Sequence, residues 1–389
     1  MKVLHTSDWH IGKRLLGRER IGEQREVLRE IAALCERERV ELVLVAGDVF
    51  DTYLPSSEAE DLFYTSVKEL AGKDRAVVII SGNHDDHIRL AAATSLSEEF
   101  GIYIYGNVSH VPALSAVRKT HPVRAGAHFM EMENATGERV FLNLLPYPTE
   151  ARLKEDKNPD ESFCDKMRRW IEAGEAENTE KLPSVFVSHL FVAGGKVSEG
   201  EREIDLGGAR AVPLELLPAS DYVALGHLHR KQHLGGRNVF YSGSILQYAF
   251  DEANVDKKVM LFDLGKEGVY NLKEVKLTSG KTLVRLAANS VGEAEELLKR
   301  YENCFIELTL FLKEPLIPSQ IKELKEANEG LISIIPEIKA DCALGEFASR
   351  KNLSASELFT EYYKSMYSDE PPKDLLELFM EISEARDET

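Results

Sequence analysis

Apolar and polar positions follow two periods along the first hundred residues. Val3-Leu4, Leu42-Val43-Leu44-Val45-Ala46 and Val77-Val78-Ile79-Ile80 are short continuous apolar runs, the pattern of strands buried on both faces. Between them Val27, Leu28, Ile31, Leu34 and Cys35 recur at helical spacing. A second helix is announced by Pro55 and a capping box of Ser57 with Glu60, and it carries Leu62, Phe63, Val67 and Leu70 on one face. This β-α-β-α-β order predicts a mainly parallel sheet covered by helices. Beyond Gly106 shorter strands take over. Val140-Phe141-Leu142, Val185-Phe186-Val187, Tyr222-Val223-Ala224-Leu225, Val239-Phe240-Tyr241 and Val259-Met260-Leu261-Phe262 are the clearest, and they predict a second sheet stacked on the first. The charged stretch 148–183, helical near 163–171, reads as a surface insertion.

Thr278-Ser279-Gly280 marks a boundary near residues 277–281. Strand, helix, strand, helix and strand patterns then follow at 283–286, 291–301, 305–312, 318–327 and 331–335, which predicts a small independent α+β unit. Two amphipathic helices end the chain. One carries Leu358, Phe359, Tyr362, Tyr363 and Met366, the other Leu375, Leu376, Leu378, Phe379 and Ile382. This hairpin holds too many apolar groups to stay solvated, so it is expected to dock on a partner or on its own body. The expected fold is α/β: two stacked mixed β-sheets flanked by helices over residues 1–277, an α+β unit over 281–340 and a helical hairpin over 341–389.

At 389 residues the chain exceeds one typical core, in keeping with this division. No apolar run approaches the roughly 20 residues of a membrane span, and the N-terminus lacks the apolar stretch of a signal peptide, so a cytoplasmic location is expected. Cys35, Cys164, Cys304 and Cys342 are widely spaced and form no C-x-x-C pair, which argues against a zinc ribbon or a disulfide framework. A net charge of −18 points away from nucleic acid when taken alone. Part of it is local, because residues 340–389 hold twelve acidic and five basic side chains.

Five short segments carry the chemistry: Asp8-Trp9-His10, Gly47-Asp48-Val49-Phe50-Asp51, Gly82-Asn83-His84-Asp85, Ser188-His189 and Gly226-His227-Leu228-His229. Each follows a predicted strand, and ligands in α/β sheets bind at the carboxyl ends of strands. Phosphodiester hydrolysis needs a nucleophile at neutral pH and neutralisation of the phosphoryl oxygens, which two cations about 3.5–4 Å apart supply. Asp48 is the candidate bridge, since Gly47 lets the backbone turn closely. Asp8 and His10, two apart on an extended segment, point to one side and can grip one ion together, with His229 completing its shell. Asn83, His189 and His227 remain for the second ion. Oxygen and imidazole donors without thiolate favour Mn²⁺ or Fe over a structural zinc centre. His84, without a metal assignment, is free to protonate the leaving oxygen or to stabilise the transition state, and Asp85 could orient it.

A lone D-x-H or G-D-x-x-D is common by chance; all five in this order are not. Asp51 reads more readily as a loop organiser than as a positioning group, and Trp9 as a packing residue. His5, His87, His110, His121, His128 and His233 lie outside the motifs and read as ordinary surface or core histidines.

The five motifs resemble those of the calcineurin-like metallophosphoesterases. Their flanks are more specific: His5-Thr6-Ser7-Asp8-Trp9-His10-Ile11-Gly12, Ala46-Gly47-Asp48-Val49-Phe50-Asp51-Thr52, Ser81-Gly82-Asn83-His84-Asp85, Ala224-Leu225-Gly226-His227-Leu228-His229 and Tyr241-Ser242-Gly243-Ser244 resemble the SbcD family of bacterial nuclease subunits. The similarity is strong over the catalytic part and weaker beyond it. It implies a Mn²⁺-dependent 3′→5′ exonuclease on double-strand DNA that also cuts single strands and hairpins, acting in break processing, recombination and repair. It further implies a homodimer joined through helices at 22–37 and 55–70 and bound to two copies of an SbcC-type coiled-coil ATPase. By the same resemblance His84 matches the catalytic histidine, the unit near 280–340 matches a DNA-contacting capping domain, and the terminal hairpin matches the segment that docks on the ATPase. Asp51 departs from archaeal and eukaryotic relatives, which place there a histidine that helps direct the DNA end. If the ATPase holds much of the DNA, the acidic charge is no obstacle; Lys13, Arg14, Arg18 and Arg20 are then expected near the DNA entrance. A small-molecule phosphodiesterase, a protein phosphatase and a non-enzymatic scaffold are the competing readings.

Overall fold

Alternation of apolar side chains decides the layering. The computed structural model describes residues 1–106, 111–149, 152, 161–198 and 211–338, and residues 356, 359, 360, 363, 364, 370–373, 375, 376, 378 and 379. The chain begins with β1 (Lys2–Thr6), α1 (Ile21–Glu38), β2 (Leu42–Ala46), α2 (Ser57–Ala71), β3 (Ala76–Ile80), the short helices α3 (His87–Leu90) and α4 (Thr94–Glu98), and β4 (Ile102–Tyr105). Next come β5 (His121–Ala125), β6 (Phe129–Glu133), β7 (Arg139–Leu145), α5 (Phe163–Ala176), β8 (Ser184–His189), β9 (Tyr222–Gly226), β10 (Gln232–Leu234) and β11 (Val239–Tyr241). A long hairpin, β12 (Lys258–Gly265) and β13 (Gly268–Lys276), returns to the first sheet.

That sheet has the order β13-β12-β1-β2-β3-β4, with β1 to β4 parallel and the hairpin antiparallel beside β1. The second has the order β10-β11-β9-β8-β7-β6-β5, with β7, β8 and β9 parallel at its centre. One side chain in two from each meets between them: Val3, Leu42, Leu44, Val78 and Ile80 pack against Met130, Leu142, Val185, Val187 and Ala224. Their neighbours Leu4, Val43, Val45 and Ile79 face the other way, onto Val27, Leu28 and Ile31 of α1 and Leu62, Phe63 and Val67 of α2. Each such buried side chain contributes about 1.5–3 kcal/mol before entropy is counted. The two stacked mixed sheets expected from the sequence are present.

Three local expectations change. The cap of α2 is Ser56 rather than Ser57, its side chain accepting from Ala59 N at 3.2 Å. Ser56 follows Pro55 in an extended conformation, while Ser57 is already helical. The stretch 148–183 is more than a surface insertion, because α5 buries Met167 and Ile171 against Phe186, Val223 and Tyr241 on the outer face of the second sheet. Strand β4, at Ile102-Tyr103-Ile104-Tyr105, adds to the expected elements and extends the parallel sheet. Residues 150, 151 and 153–160 of that stretch, His110 and Cys342 lie outside the described residues; Cys35, Cys164 and Cys304 are free thiols.

After the boundary come β14 (Thr282–Ala288), α6 (Val291–Leu298), β15 (Cys304–Leu312), α7 (Pro318–Ala327) and β16 (Leu331–Ile338), a three-stranded parallel sheet with its own core. It meets the main body through Leu15, Phe250, Leu283 and Phe305. Most of the expected terminal hairpin lies outside the described residues, but Phe359 and Phe379 stack with ring centroids 4.2 Å apart.

Between the sheets, His5 is fully buried with Nδ1 3.1 Å from the Tyr222 hydroxyl, and burial pushes its pKa from 6.5 down to about 3. The folded chain therefore keeps His5 neutral while the unfolded chain takes up a proton below pH 6.5, so stability falls as pH drops from 6.5 toward 3. Between pH 6.5 and 5 this residue should cost about 2 kcal/mol. Urea unfolding in a metal chelator should show a smaller acid loss for His5→Gln than for the wild type; parallel pH profiles would rule His5 out as the source.

Candidate metal centre

The donors gather because β1, β2 and β3 of one sheet and β8 and β9 of the other finish at the same rim. Asp8, His10, Asp48 and His227 sit there with positive φ, at 52°, 44°, 51° and 109°. Such backbone costs on the order of 1–3 kcal/mol per residue and survives only where its surroundings impose it. Two glycines make the approach possible. A Cβ on Gly47 would lie 2.4 Å from His189 Nδ1, and one on Gly82 would lie 2.1 Å from Asp48 Oδ1.

The resulting distances place the donors in two overlapping groups around Asp48, with Asp8 close to both. His10 Nε2 lies 3.0 Å from His229 Nε2, and Asp8 joins both within one compact cluster. Asn83 Oδ1 lies 2.9 Å from His189 Nε2 and 3.1 Å from His227 Nδ1. Asp48 Oδ2 is 3.6 Å from His10 Nε2 on one side and 3.4 Å from His189 Nε2 on the other. Donors about 2.1 Å from one ion and at right angles to each other stand roughly 3.0 Å apart, so these spacings fit divalent cations. The seven residues expected as ligands are thus all brought together, and all are buried. His84 lies at the edge of this group, in a cluster with His10 and Asp48. Among the described residues, His5, His87, His121, His128 and His233 join none of the clusters.

Charge makes the same case. Burial and then the Asp48 charge push Asp85 up to about 6, and burial likewise lifts Asp8 to about 6 against the pull of His189. Burial also raises Asp48, but the charge and hydrogen bond of His189, with His84 and His10, hold it well below the usual carboxylate range. Burial keeps His10 and His227 neutral, with pKa values near 3, which is the form that offers a lone pair to a metal.

The supporting residues are only partly those expected. Asp85 does not orient His84: its carboxylate accepts from the backbone N–H groups of Gly82 (2.8 Å), Phe50 (2.9 Å) and Val49 (3.2 Å), tying two ligand loops together. Orientation of His84 falls to Asp51, whose carbonyl accepts from Nδ1 at 2.8 Å. The Asp51 carboxylate lies 3.3 Å from His10 Nδ1 and accepts from Lys13 Nζ at 2.9 Å. Arg152 donates to the carbonyls of Gly82 and Asp85, both at 2.7 Å, and Gln24 on α1 donates to the His10 carbonyl at 2.7 Å. Glu252 lies 3.2 Å from His229 Nδ1. Trp9 packs as expected, fully buried with Nε1 donating to Thr6. Of the four basic residues expected near DNA, Arg20 is buried, bound to Glu23 and the Gln247 carbonyl, because the seam with the 282–338 unit covers it.

Gly82→Ala should drive a methyl group into Asp48 and remove the shared carboxylate from both donor sets. The rise in melting temperature that a divalent cation gives the wild type should then disappear; a full rise in Gly82→Ala would contradict this geometry.

Residues 1–231 match the family model for calcineurin-like phosphoesterases. The chain is 35% identical to the SbcD subunit of the SbcCD nuclease of Bacillus subtilis, in an alignment spanning 100% of this chain and 99% of that protein. It is 32% identical to the SbcD subunit of Rhodobacter capsulatus, over 86% of this chain and 85% of the relative. The SbcD subunit of Staphylococcus epidermidis is 29% identical over 70% of this chain and 68% of its own length.

Proposed function

Because the chain belongs to the calcineurin-like phosphoesterase family, and within it to the SbcD-like nucleases, we propose that it is the Mn²⁺-dependent nuclease subunit of an SbcCD-type complex that degrades DNA ends. The observation that carries this reading is the position of Asp48, shared between two buried donor sets. Asp8, His10 and His229 would hold one ion, Asn83, His189 and His227 the other, with Asp48 common to both. Two such cations, when bound, supply Lewis acidity toward the phosphoryl oxygens and a nucleophile at neutral pH.

The remaining work belongs to side chains. His84 gives Nδ1–H to the Asp51 carbonyl, which fixes the ring; in its imidazolium form the Nε2–H would then pass its proton to the departing oxygen and leave the neutral Nδ1–H ring. Asp51 serves as a positioning residue for both His84 and His10. Asp85 and Arg152 keep the ligand loops from drifting as charge develops.

The substrate and partners follow the relatives. We infer double-strand ends attacked 3′→5′, with endonucleolytic cutting of single strands and hairpins, and action alongside an SbcC-type ATPase in break processing, recombination and repair. The reading includes a homodimer through α1 and α2, a DNA-contacting role for the 282–338 unit, and docking of the terminal hairpin on the ATPase. Arg18 supports the DNA path: it is exposed and lines a cleft with Lys281 and with Lys325 of the 282–338 unit. Arg14 is exposed as well, paired with Glu19.

On end-labelled linear duplex with Mn²⁺, Asp48→Ala should abolish degradation. His84→Ala should lose about 10²–10⁴-fold while still binding metal. Retained cleavage in either variant would break the mechanism, and cleavage confined to a small phosphodiester would favour the small-molecule alternative. Reversing Arg14 and Arg18 to Glu should weaken duplex cleavage and spare a small phosphodiester; equal loss on both substrates would remove these residues from the DNA path.

A further inference from the structure

Behind His229 lies a buried ion pair that the reaction scheme leaves unused. Glu252 is fully buried in a 3₁₀ turn at Phe250–Glu252, and Lys257 is nearly so. Lys257 Nζ donates to the Glu252 carboxylate, to the His229 carbonyl at 2.8 Å and to Ser244 Oγ at 2.7 Å. The other Glu252 oxygen faces His229 Nδ1 at 3.2 Å. Taking such a pair out of water is unfavourable, and an apolar pair of similar volume would stabilise the fold as well or better. Its location therefore asks for a reason other than stability.

The geometry supplies one. A carboxylate at Nδ1 holds the proton there and leaves the Nε2 lone pair facing His10 Nε2, 3.0 Å away. The same turn is wired to the neighbouring unit. Gln247 Nε2 donates to the Glu252 carbonyl at 3.0 Å, while Gln247 Oε1 accepts from Leu283 N, in β14, at 2.6 Å. Phe250 of that turn and Leu283 also share one apolar cluster with Leu15 and Phe305. Arg20 donates to the Gln247 carbonyl, and Glu23 accepts from Lys281 N at 2.7 Å, so the start of β14 is fastened to the same place.

We propose that Glu252 is a positioning residue that sets the tautomer and direction of His229 for its metal, and that Gln247 makes this hold depend on the seating of the 282–338 unit. The inference rests on the two-metal reading above. It also gives the 282–338 unit a second role, since displacing β14 would pull on Gln247 and through it on the Glu252 turn.

The test is Mn²⁺ titration of the metal-stripped full-length protein by calorimetry, with melting in chelator as the control for folding. Glu252→Gln leaves Lys257 without its counter-charge, so the double variant Glu252→Gln with Lys257→Met is the main arm. It should melt close to the wild type in chelator while its affinity at one of two Mn²⁺ sites falls about 10–100-fold. Glu252→Asp should recover part of that affinity, and Gln247→Leu should lower the same site by a smaller factor. Wild-type affinity at both sites in the double variant would overturn the role of Glu252, and unchanged affinity in Gln247→Leu would overturn the link to β14. Absence of Mn²⁺ binding by the wild type would overturn the two-metal reading, and this inference with it.

Discussion

The rest of the site depends on three carboxylates buried together at the rim where the two sheets meet. Asp8, Asp48 and Asp85 are buried within one small volume; burial holds His10 and His227 neutral and works the same way on His189, whereas the charge and hydrogen bond of Asp48 raise His189 to about 9. Such an arrangement suits added cations, and the backbone around it leaves room for them. Four non-glycine residues accept left-handed backbone, and Gly47 and Gly82 remove the side chains that would otherwise fill the space. The fold supplies the rigidity that keeps this strain in place, because each ligand loop begins at the end of a buried strand.

Much of this is legible from one sequence, for a specific reason. Each ligand sits within six residues of the end of an apolar run, so local pattern alone places it near the rim. What cannot be read is contact between distant residues. Glu252 and Lys257 resemble ordinary surface charges among their neighbours, yet their partners include His229, more than twenty residues back. Arg20 reads as exposed for the same reason, its cover coming from Gln247 and the 282–338 unit. Asp85 misleads because it is next to His84 in sequence, although the tight loop turns the two side chains to different partners. In α5 the buried pair Met167 and Ile171 is hidden by the charged residues around it.

The acidic composition also takes on a different meaning once the structure is considered. Several basic residues are committed to ion pairs, such as Arg124 and Arg139 on the buried Glu131, and the buried Arg75 on the exposed Glu36. Net charge therefore misrepresents the surface in both directions. Among the cations that stay exposed are Arg14, paired with Glu19, and Arg18.

The contact between His10 and His229 joins residues 219 positions apart, across both sheets. During synthesis, the first half of the donor set is made early and waits. No chain still emerging from the ribosome can assemble the pair of sites until residue 229 has left the exit tunnel and β9 has docked between β8 and β11. A chain that ends before His229 therefore carries Asp8, His10 and Asp48 without the imidazoles that complete the donor cluster.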